Sequence, residues 1–221
     1  MTKQIPYQIV LVGQAGKGKT MAFRNMNPET CAFINMEGKP LPFENKFQKY
    51  FVPDTWQECY QTLIECYKDE TITEVVLDSF SAYVDSLLKT ARETKKGFDT
   101  WNMYNEEIGK LLYLIQKYNK ELIVTAHSAN IETDIGIEER RIAVKGNEWN
   151  KAGVESKFTI VLFTEVLRDP MNNKAAYKMI FNSDGKTSAK TPPMFLEEDE
   201  IHMDNDMSVF IDRMRSKLSN G

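Results

Sequence analysis

The segment GQAGKGKT, Gly13 to Thr20, has the residue types and spacing of a phosphate-binding loop. It satisfies the pattern G-x-x-x-x-G-K-S/T, and it lies between a predicted strand and a predicted helix, as that pattern requires. Glycines let successive backbone N–H groups face phosphate oxygens, Lys19 can reach the outer phosphates, and the Thr20 hydroxyl can bind Mg²⁺. The predicted nucleotide-binding residues are Gly13, Gln14, Ala15, Gly16, Lys17, Gly18, Lys19 and Thr20.

A second chemical feature is the stretch EVVLDSF, in which an apolar run ends at Asp78. Ligands of α/β sheets collect at the carboxyl ends of strands, so we predict that Asp78 interacts with the Mg²⁺ that Thr20 binds, either directly or through one of its ligands. The alternative is an aspartate that simply lies on the surface at the end of a strand. Many ATPases place a catalytic glutamate directly after this aspartate, but here the next residue is Ser79. A carboxylate that activates water must therefore come from elsewhere.

Glu37 and His127 are the candidates that complete the site. Glu37 follows the predicted strand CAFINM, and a carboxylate there could activate the water that attacks the γ-phosphate. His127 ends the predicted strand ELIVTAH, where it could contact the γ-phosphate as a sensor. Structural interpretations stay open for both, since Glu37 precedes a turn and His127 could simply end its strand.

Strands alternate with helices along the first part of the chain. The predicted strands are YQIVLVG, CAFINM, EVVLD and ELIVTAH, and the predicted helices are MAFRNM, TWQECYQTLIECYKD, SAYVDSLLKTARETKKG and TWNMYNEEIGKLLYLIQKYN. This alternation predicts an α/β fold with a mainly parallel sheet flanked by helices and wound by right-handed crossovers.

The alternation of strand and helix patterns ends after Ser128. Residues 128–157 are polar and weakly periodic, and FTIVLFTEVLRDPMNNKAAYKMIFNSDG then predicts a β-hairpin at one edge of the sheet. Residues 197–218 combine an acidic run with an amphipathic helix, whose apolar face we expect to pack against the domain. No linker or repeat divides residues 1–221, so we predict a single domain. The apolar face consists of Met207, Phe210, Ile211 and Met214.

Composition limits the classes of function. The chain has 221 residues, 42% hydrophobic and 27% charged, with a net charge of −4, so any contact with DNA must come from a local patch. Three cysteines without CxxC spacing and only two histidines suggest neither a zinc site nor a disulfide framework. Without a signal peptide or a membrane-spanning run, we expect a cytoplasmic protein that has no membrane partner.

Together these motifs resemble the RecA-like branch of P-loop ATPases, with FINME, VVLDS and VTAH in the positions of the catalytic glutamate, Walker B and the sensor. The segments KPLPF and AKTPPMF carry a narrower resemblance, to compact phage ATPases with a RecA core. These include proteins implicated in single-strand annealing. The resemblance implies ATP and Mg²⁺ as cofactors and a sensor strand between the Walker A and Walker B strands. It also places the catalytic glutamate on the strand beside Walker B, where Ser79 after Asp78 is expected.

The resemblance further implies a homo-oligomer with ATP at the subunit interface, completed by a basic residue of the neighbouring protomer. Lys186 and Lys190 are the candidates for that role. Only a few residues precede the first strand, so we do not expect the polymerisation segment of the bacterial recombinase.

Single-stranded DNA is the partner that the resemblance implies, because the DNA loops of this family follow the sensor strand. Basic residues there could hold phosphates while a tryptophan stacks on a base. Acidic residues among them nearly cancel the charge. The candidates are Arg140, Arg141, Lys145 and Trp149. The predicted function is Mg²⁺-dependent ATP hydrolysis coupled to single-stranded DNA in phage recombination, annealing or replication, alongside phage partner proteins and in the cytoplasm of the bacterial host.

Two alternatives stay open. A nucleoside or nucleotide kinase shares the phosphate loop but needs an arginine-rich lid and a second substrate pocket, whereas the chain after Gly97 favours a long helix. A nucleotide-gated scaffold would bind ATP without efficient hydrolysis, and Glu37 would then be inert.

Overall fold

A central β-sheet dominates this computed structural model, which describes residues 6–132, 138–146, 148–149, 153–169, 171, 173–183, 185–197 and 200–219. Within these residues the sheet has eight strands, and a separate two-stranded sheet follows the fifth strand. The strands of the large sheet are β1 (Gln8–Val12), β2 (Cys31–Asn35), β3 (Lys49–Phe51), β4 (Glu74–Asp78), β5 (Glu121–Ala126), β8 (Ile160–Arg168), β9 (Ala175–Ile180) and β10 (His202–Asp204). The small sheet pairs β6 (Ser128–Glu132) with β7 (Glu138–Ile142).

The strand order confirms the predicted fold class. It runs β10-β9-β8-β1-β5-β4-β2-β3, and every neighbouring pair from β8 to β3 is parallel. The strand that ends before His127 therefore lies between the strand of the glycine-rich loop and the strand of Asp78. The hairpin of β8 and β9 is antiparallel, as predicted, but β10 pairs with β9 and forms the outer edge.

Four α-helices cover the sheet in the described part of the chain: α1 (Trp56–Lys68), α2 (Phe80–Thr94), α3 (Phe98–Lys117) and α4 (Met207–Ser219). Hydroxyl side chains begin the first two helices, because Thr55 accepts a hydrogen bond from the Glu58 N–H and Ser79 accepts one from the Ala82 N–H. None of the described helices is long and apolar enough to cross a membrane.

The sheet is buried on both faces. Alternate residues of each strand point to opposite faces, so Val10 lies in the core beneath α1, α2 and α3, while Leu11 lies in a second core. That second core contains Phe23 and the predicted apolar face of α4, in which Met207, Phe210, Ile211 and Met214 are all buried. The C-terminal helix thus packs against this face of the sheet, as its apolar residues predicted.

The prediction of an α-helix over MAFRNM is wrong, because this segment forms a different and shorter type of helix. The chain forms a 3₁₀ helix of four residues, Thr20–Phe23, followed by turns. The helix cannot continue because Pro28 lacks an N–H, and because the Asn27 carbonyl accepts a hydrogen bond from the Cys31 N–H at the start of β2. A single turn has almost no macrodipole, so the backbone N–H groups of the loop carry the predicted phosphate interaction.

The polar segment after Ser128 has more regular structure than its weak periodicity indicated, since Ser128–Glu132 and Glu138–Ile142 pair as the β6–β7 hairpin and Val154–Lys157 form a short 3₁₀ helix. This hairpin is tied to the chain after β9, because the Arg140 N–H donates to the Lys186 carbonyl at 2.8 Å. Residues 170 and 172 of the predicted turn, and residues 198–199 of the acidic run, lie outside the described residues.

Candidate functional site

The glycine-rich loop begins where β1 ends at the carboxyl edge of the sheet. The Gly13 N–H donates to the Ala126 carbonyl of β5 at 3.0 Å, which fixes the start of the loop. Gly13 also lies directly against Thr164 of β8, whose hydroxyl oxygen occupies the space that a Cβ atom at position 13 would need. Gly18 has φ +87°, in the left-handed region that favours glycine. The glycines at these two positions are therefore structural requirements of the loop.

The side chain of Lys19 folds back over the loop. Its Nζ donates to the carbonyl oxygens of Gly13 at 2.9 Å and Gln14 at 3.1 Å, and only 7% of the residue is exposed. Burial lowers the pKa of Lys19, and the charges of Asp78 and Glu37 act against this shift. The ammonium is thereby held above the loop, where the outer phosphates of a nucleotide would lie.

Thr20 and Asp78 meet as the sequence predicts. Thr20 Oγ1 donates to Asp78 Oδ2 at 2.8 Å, and Thr125 Oγ1 of β5 donates to Asp78 Oδ1 at 2.5 Å. Asp78 is 4% exposed, and its burial raises the pKa of the carboxyl although both hydroxyls act in the opposite direction. A hydroxyl beside a carboxylate fits Mg²⁺, a hard cation that takes oxygen ligands and is bound by few protein groups together with substrate phosphates.

Glu37 lies next to Asp78, because its backbone N–H donates to the Asp78 carbonyl at 3.4 Å. The N–H of Met36, the residue before it, donates to the Asp78 carbonyl at 2.7 Å, which ties the end of β2 to the end of β4. Lys39 Nζ donates to Glu37 Oε2 at 2.9 Å, and Ser79 Oγ donates to Oε1 at 3.3 Å. Burial alone would raise the pKa of Glu37, but Lys39 and Ser79 hold it below its usual value. The carboxylate is therefore ionised at neutral pH.

His127 adjoins this carboxylate. Its Nε2 lies 3.8 Å from Glu37 Oε1, and its backbone N–H donates to Ser81 Oγ at 2.8 Å. Burial and the charge of Lys19 lower the pKa of His127, so the imidazole is neutral at pH 7. A neutral imidazole can donate one hydrogen bond and accept another, which suits contact with a phosphate oxygen or a water.

These groups surround one cavity of about 450 Å³, which is large enough for a nucleotide. The described lining includes most of the predicted site: Ala15, Gly16, Gly18, Lys19, Thr20, Glu37 and His127. Gly13, Gln14 and Lys17 of the predicted loop are not part of that lining, and Asp78 is joined to it through its hydrogen bond with Thr20. The residues that the sequence did not single out in the lining are Met21, Lys39, Pro42 and Tyr177. Lys39 could have been found from its place two residues after Glu37, whereas nothing near Tyr177 in the sequence indicates its proximity to the loop.

The predicted trans-acting and DNA-binding residues lie elsewhere. Lys186 and Lys190 are exposed, and the Lys190 backbone pairs with Val161 of β8. Neither lysine belongs to the described lining of the cavity.

The predicted DNA-binding side chains have partners within the chain. Arg141 pairs with Glu139 at 2.7 Å, Lys145 pairs with Asp85 at 2.5 Å, and the Arg140 guanidinium lies 5.8 Å from the ring centroid of Phe163. Trp149 is half-buried against the core.

A family model described as an AAA domain matches residues 5–192, which is most of the chain. The chain belongs to this AAA-domain family. The match includes the loop, Glu37, Asp78 and His127, and it ends before β10 and α4. No curated protein matches the chain. Among solved structures, a KaiC-like protein of the hyperthermophilic archaeon Pyrococcus horikoshii shares 14% identity, with a TM-score of 0.48. That likeness covers 81% of this chain and 86% of the archaeal one.

Proposed function

We propose that this AAA-domain protein binds ATP with Mg²⁺ and hydrolyses it. The observation that carries the proposal is the pairing of Thr20 with Asp78 at 2.8 Å next to the buried Lys19, with Glu37 in the lining of the same cavity. A phosphate loop, a metal-binding pair and an ionised carboxylate are the parts that hydrolysis of a nucleoside triphosphate requires.

Binding begins at the loop. Backbone N–H groups and Lys19 receive the phosphate oxygens, and phosphate oxygens then replace the loop carbonyls as acceptors for the Lys19 ammonium. Thr20 and Asp78 would hold Mg²⁺, which neutralises charge on the outer phosphates when it is bound. The exposed ammonium of Lys39 adds a second positive charge at the mouth of the cavity.

Glu37 is the proposed general base. Its carboxylate takes the proton of the attacking water, and Ser79 and Lys39 keep it ionised and oriented beforehand. His127 lies close enough to share that water or to contact the γ-phosphate. Loss of the γ-phosphate would remove this contact and could thereby shift β6, which begins at the residue after His127.

The binding half of this proposal is tested by titrating ATP into the wild type and into Lys19→Ala, with and without Mg²⁺. We expect Mg²⁺-dependent binding by the wild type and its loss in Lys19→Ala. A matched control is Lys46→Ala, because Lys46 is an exposed lysine that pairs with Glu44. Equal binding by all three proteins would contradict the proposal.

A nucleotide-gated scaffold without efficient hydrolysis is the second candidate. It is favoured by one observation, since both oxygens of Glu37 already accept hydrogen bonds, one from Lys39 and one from Ser79. A scaffold would bind ATP as tightly as an enzyme but would release no phosphate under multiple-turnover conditions.

We also propose single-stranded DNA as a partner, because the β6–β7 hairpin presents Arg140 and Arg141 directly beyond His127. Each cation must exchange an internal partner for a DNA phosphate, so binding should be weak and strongly dependent on salt. Fluorescence anisotropy of a labelled oligonucleotide at two salt concentrations tests this. We expect weaker binding by the double variant Arg140→Gln/Arg141→Gln. Unchanged binding would contradict a role for the hairpin in DNA binding.

A shared site in a homo-oligomer is the remaining part of the proposal, with Lys186 or Lys190 reaching the nucleotide of a neighbouring protomer. Both side chains are exposed outside the cavity of their own chain, as a trans role requires. Mixing Lys19→Ala with Lys186→Ala/Lys190→Ala should recover hydrolysis that neither variant has alone. A mixture as inactive as its components would contradict a shared site.

A further inference from the structure

The C-terminal segment from β10 to α4 lies beyond the family match at residue 192, yet it contacts the phosphate loop directly. We propose that Asn205 and Asp206, at the junction of β10 and α4, are positioning residues for this loop and that docking of α4 sets the affinity for nucleotide. This inference rests on the proposed function, because it concerns the same phosphate site.

Asn205 fixes the backbone at Gly18. The side chain of Asn205 is buried, with 4% of the residue exposed, and its Nδ2 donates to the Gly18 carbonyl at 2.8 Å. The Asn205 N–H donates to the Tyr177 carbonyl at 3.2 Å, which anchors the residue to β9. Because the carbonyl and the N–H of a trans peptide point in opposite directions, this contact turns the Lys19 N–H away from Asn205. That N–H belongs to the loop backbone that donates to phosphate.

Asp206 holds the other end of the loop's single helical turn. Its Oδ2 accepts hydrogen bonds from Asn25 Nδ2 at 2.5 Å and from Arg24 Nη2 at 3.3 Å. Arg24 Nη1 also donates to the Asn205 carbonyl at 2.6 Å. On its own side, Asp206 Oδ1 accepts from the N–H and the hydroxyl of Ser208 in the first turn of α4. The start of α4 is thus joined by side chains to both flanks of the 3₁₀ helix.

The chain needs this support because the helix after the loop is so short. A long helix would fix the loop through its own ladder of hydrogen bonds, but Thr20–Phe23 is a single turn. Phe23 instead packs in the same core as the buried face of α4, which includes Met207 and Phe210. Tertiary contacts from the C-terminal segment therefore replace the missing helix.

Docking and nucleotide binding are then thermodynamically linked. If the docked segment favours the loop conformation that binds phosphate, bound nucleotide must favour the docked segment by the same factor. MgATP should accordingly slow hydrogen exchange of the α4 amides, although α4 is absent from the described lining of the nucleotide cavity. A segment that only completes the core would show no such response.

The test measures ATP affinity and hydrogen exchange of residues 207–219 in the wild type, Asn205→Ala and Asp204→Asn. Asp204 is the matched control, since it precedes Asn205 on the same segment but has an exposed side chain. It pairs with Lys178 of β9 at 2.6 Å. We expect Asn205→Ala to weaken ATP binding about fivefold and to raise KM without changing kcat, as loss of one hydrogen bond predicts. Asp204→Asn should match the wild type.

Hydrogen exchange of α4 in the wild type tests the inference even if Asn205→Ala does not fold. Slower exchange in α4 on addition of MgATP supports the inference, and unchanged exchange with ATP bound overturns it while leaving the proposed function intact. Equal affinity for ATP in Asn205→Ala and the wild type also overturns it. Failure of the wild type to bind ATP would instead overturn the proposed function, and the inference with it.

Discussion

Thr20 and Asp78 are 58 positions apart in the sequence, and Thr20 Oγ1 donates a hydrogen bond of 2.8 Å to Asp78 Oδ2. Strand β5 lies between β1, which leads into the loop before Thr20, and β4, which ends at Asp78, and Thr125 of β5 donates to the second oxygen of the same carboxylate. Both oxygens of Asp78 are thereby oriented before any ligand is bound. A preorganised pair of this kind reduces the entropy that must be lost when Mg²⁺ and nucleotide bind.

Replacement of Asp78 by asparagine should stabilise the free protein and destroy its site. Burial raises the pKa of Asp78, which means that the charged carboxylate is unfavourable in the fold at pH 7. The Asp78→Asn variant removes the charge, and the hydroxyls of Thr20 and Thr125 can still pair with the amide. We expect the free energy of unfolding to rise by on the order of 1 kcal/mol while Mg²⁺-dependent ATP binding is lost. Thermal unfolding with and without MgATP measures both effects.

The outcome that would contradict this account of Asp78 is a variant less stable than the wild type that still binds MgATP. Thr125→Val is a useful companion, because it removes one hydroxyl from the carboxylate and leaves Thr20 in place. It should destabilise the protein, since Asp78 then keeps its charge with one fewer donor.

Gly13 and Thr164 should behave as a coupled pair. A Cβ atom at position 13 would overlap Thr164 Oγ1, which is buried without a hydrogen-bond partner among the described residues. Gly13→Ala should therefore abolish ATP binding, and Thr164→Ala alone should leave it nearly unchanged. The double variant should recover most of the affinity, because the added Cβ would then lie 3.3 Å from the Cβ of residue 164. Additive effects in this cycle would show that the overlap is not the reason for glycine.

Lys39 should control the acid side of the pH profile of hydrolysis. The hydrogen bond and charge of Lys39 lower the pKa of Glu37, so Lys39→Met should raise that pKa. A base with a higher pKa becomes protonated at higher pH, and the acid limb of kcat should move toward neutral pH. Steady-state hydrolysis across the pH range measures this shift.

Lys46→Met is the control for Lys39→Met. Lys46 pairs with Glu44 at 3.2 Å with the same two-residue spacing, but neither residue belongs to the described lining of the cavity. Its pH profile should superimpose on that of the wild type. Identical profiles for Lys39→Met and Lys46→Met would argue against Glu37 as the titrating base.

Local patterns in the sequence predicted the parts of the molecule that depend on nearby residues. The glycine-rich loop, the strand that ends at Asp78 and the helix capped by Thr55 all follow from spacing within a few residues. The apolar face of α4 was predicted for the same reason, and its burial confirms it.

Long-range contacts explain what the sequence did not indicate. Strand β3 has three residues, all half-buried, so it shows no clear alternation and forms only because β2 offers it a partner. The helix after the loop is cut short because the chain must turn back into β2. Asn205 lies 187 residues from Gly18, and no local pattern marks a contact of that separation.

ATP hydrolysis with Glu37 as the base is tested most directly by comparing ATP binding and hydrolysis by the wild type and Glu37→Gln in the presence of Mg²⁺. The amide keeps the size of the side chain but cannot accept the proton of water, so it separates binding from chemistry. We expect equal affinity for ATP and a fall in kcat of about 10²- to 10⁴-fold. Hydrolysis by Glu37→Gln at the wild-type rate would contradict the assignment of Glu37 as the base, and the absence of hydrolysis in the wild type would contradict the proposed activity.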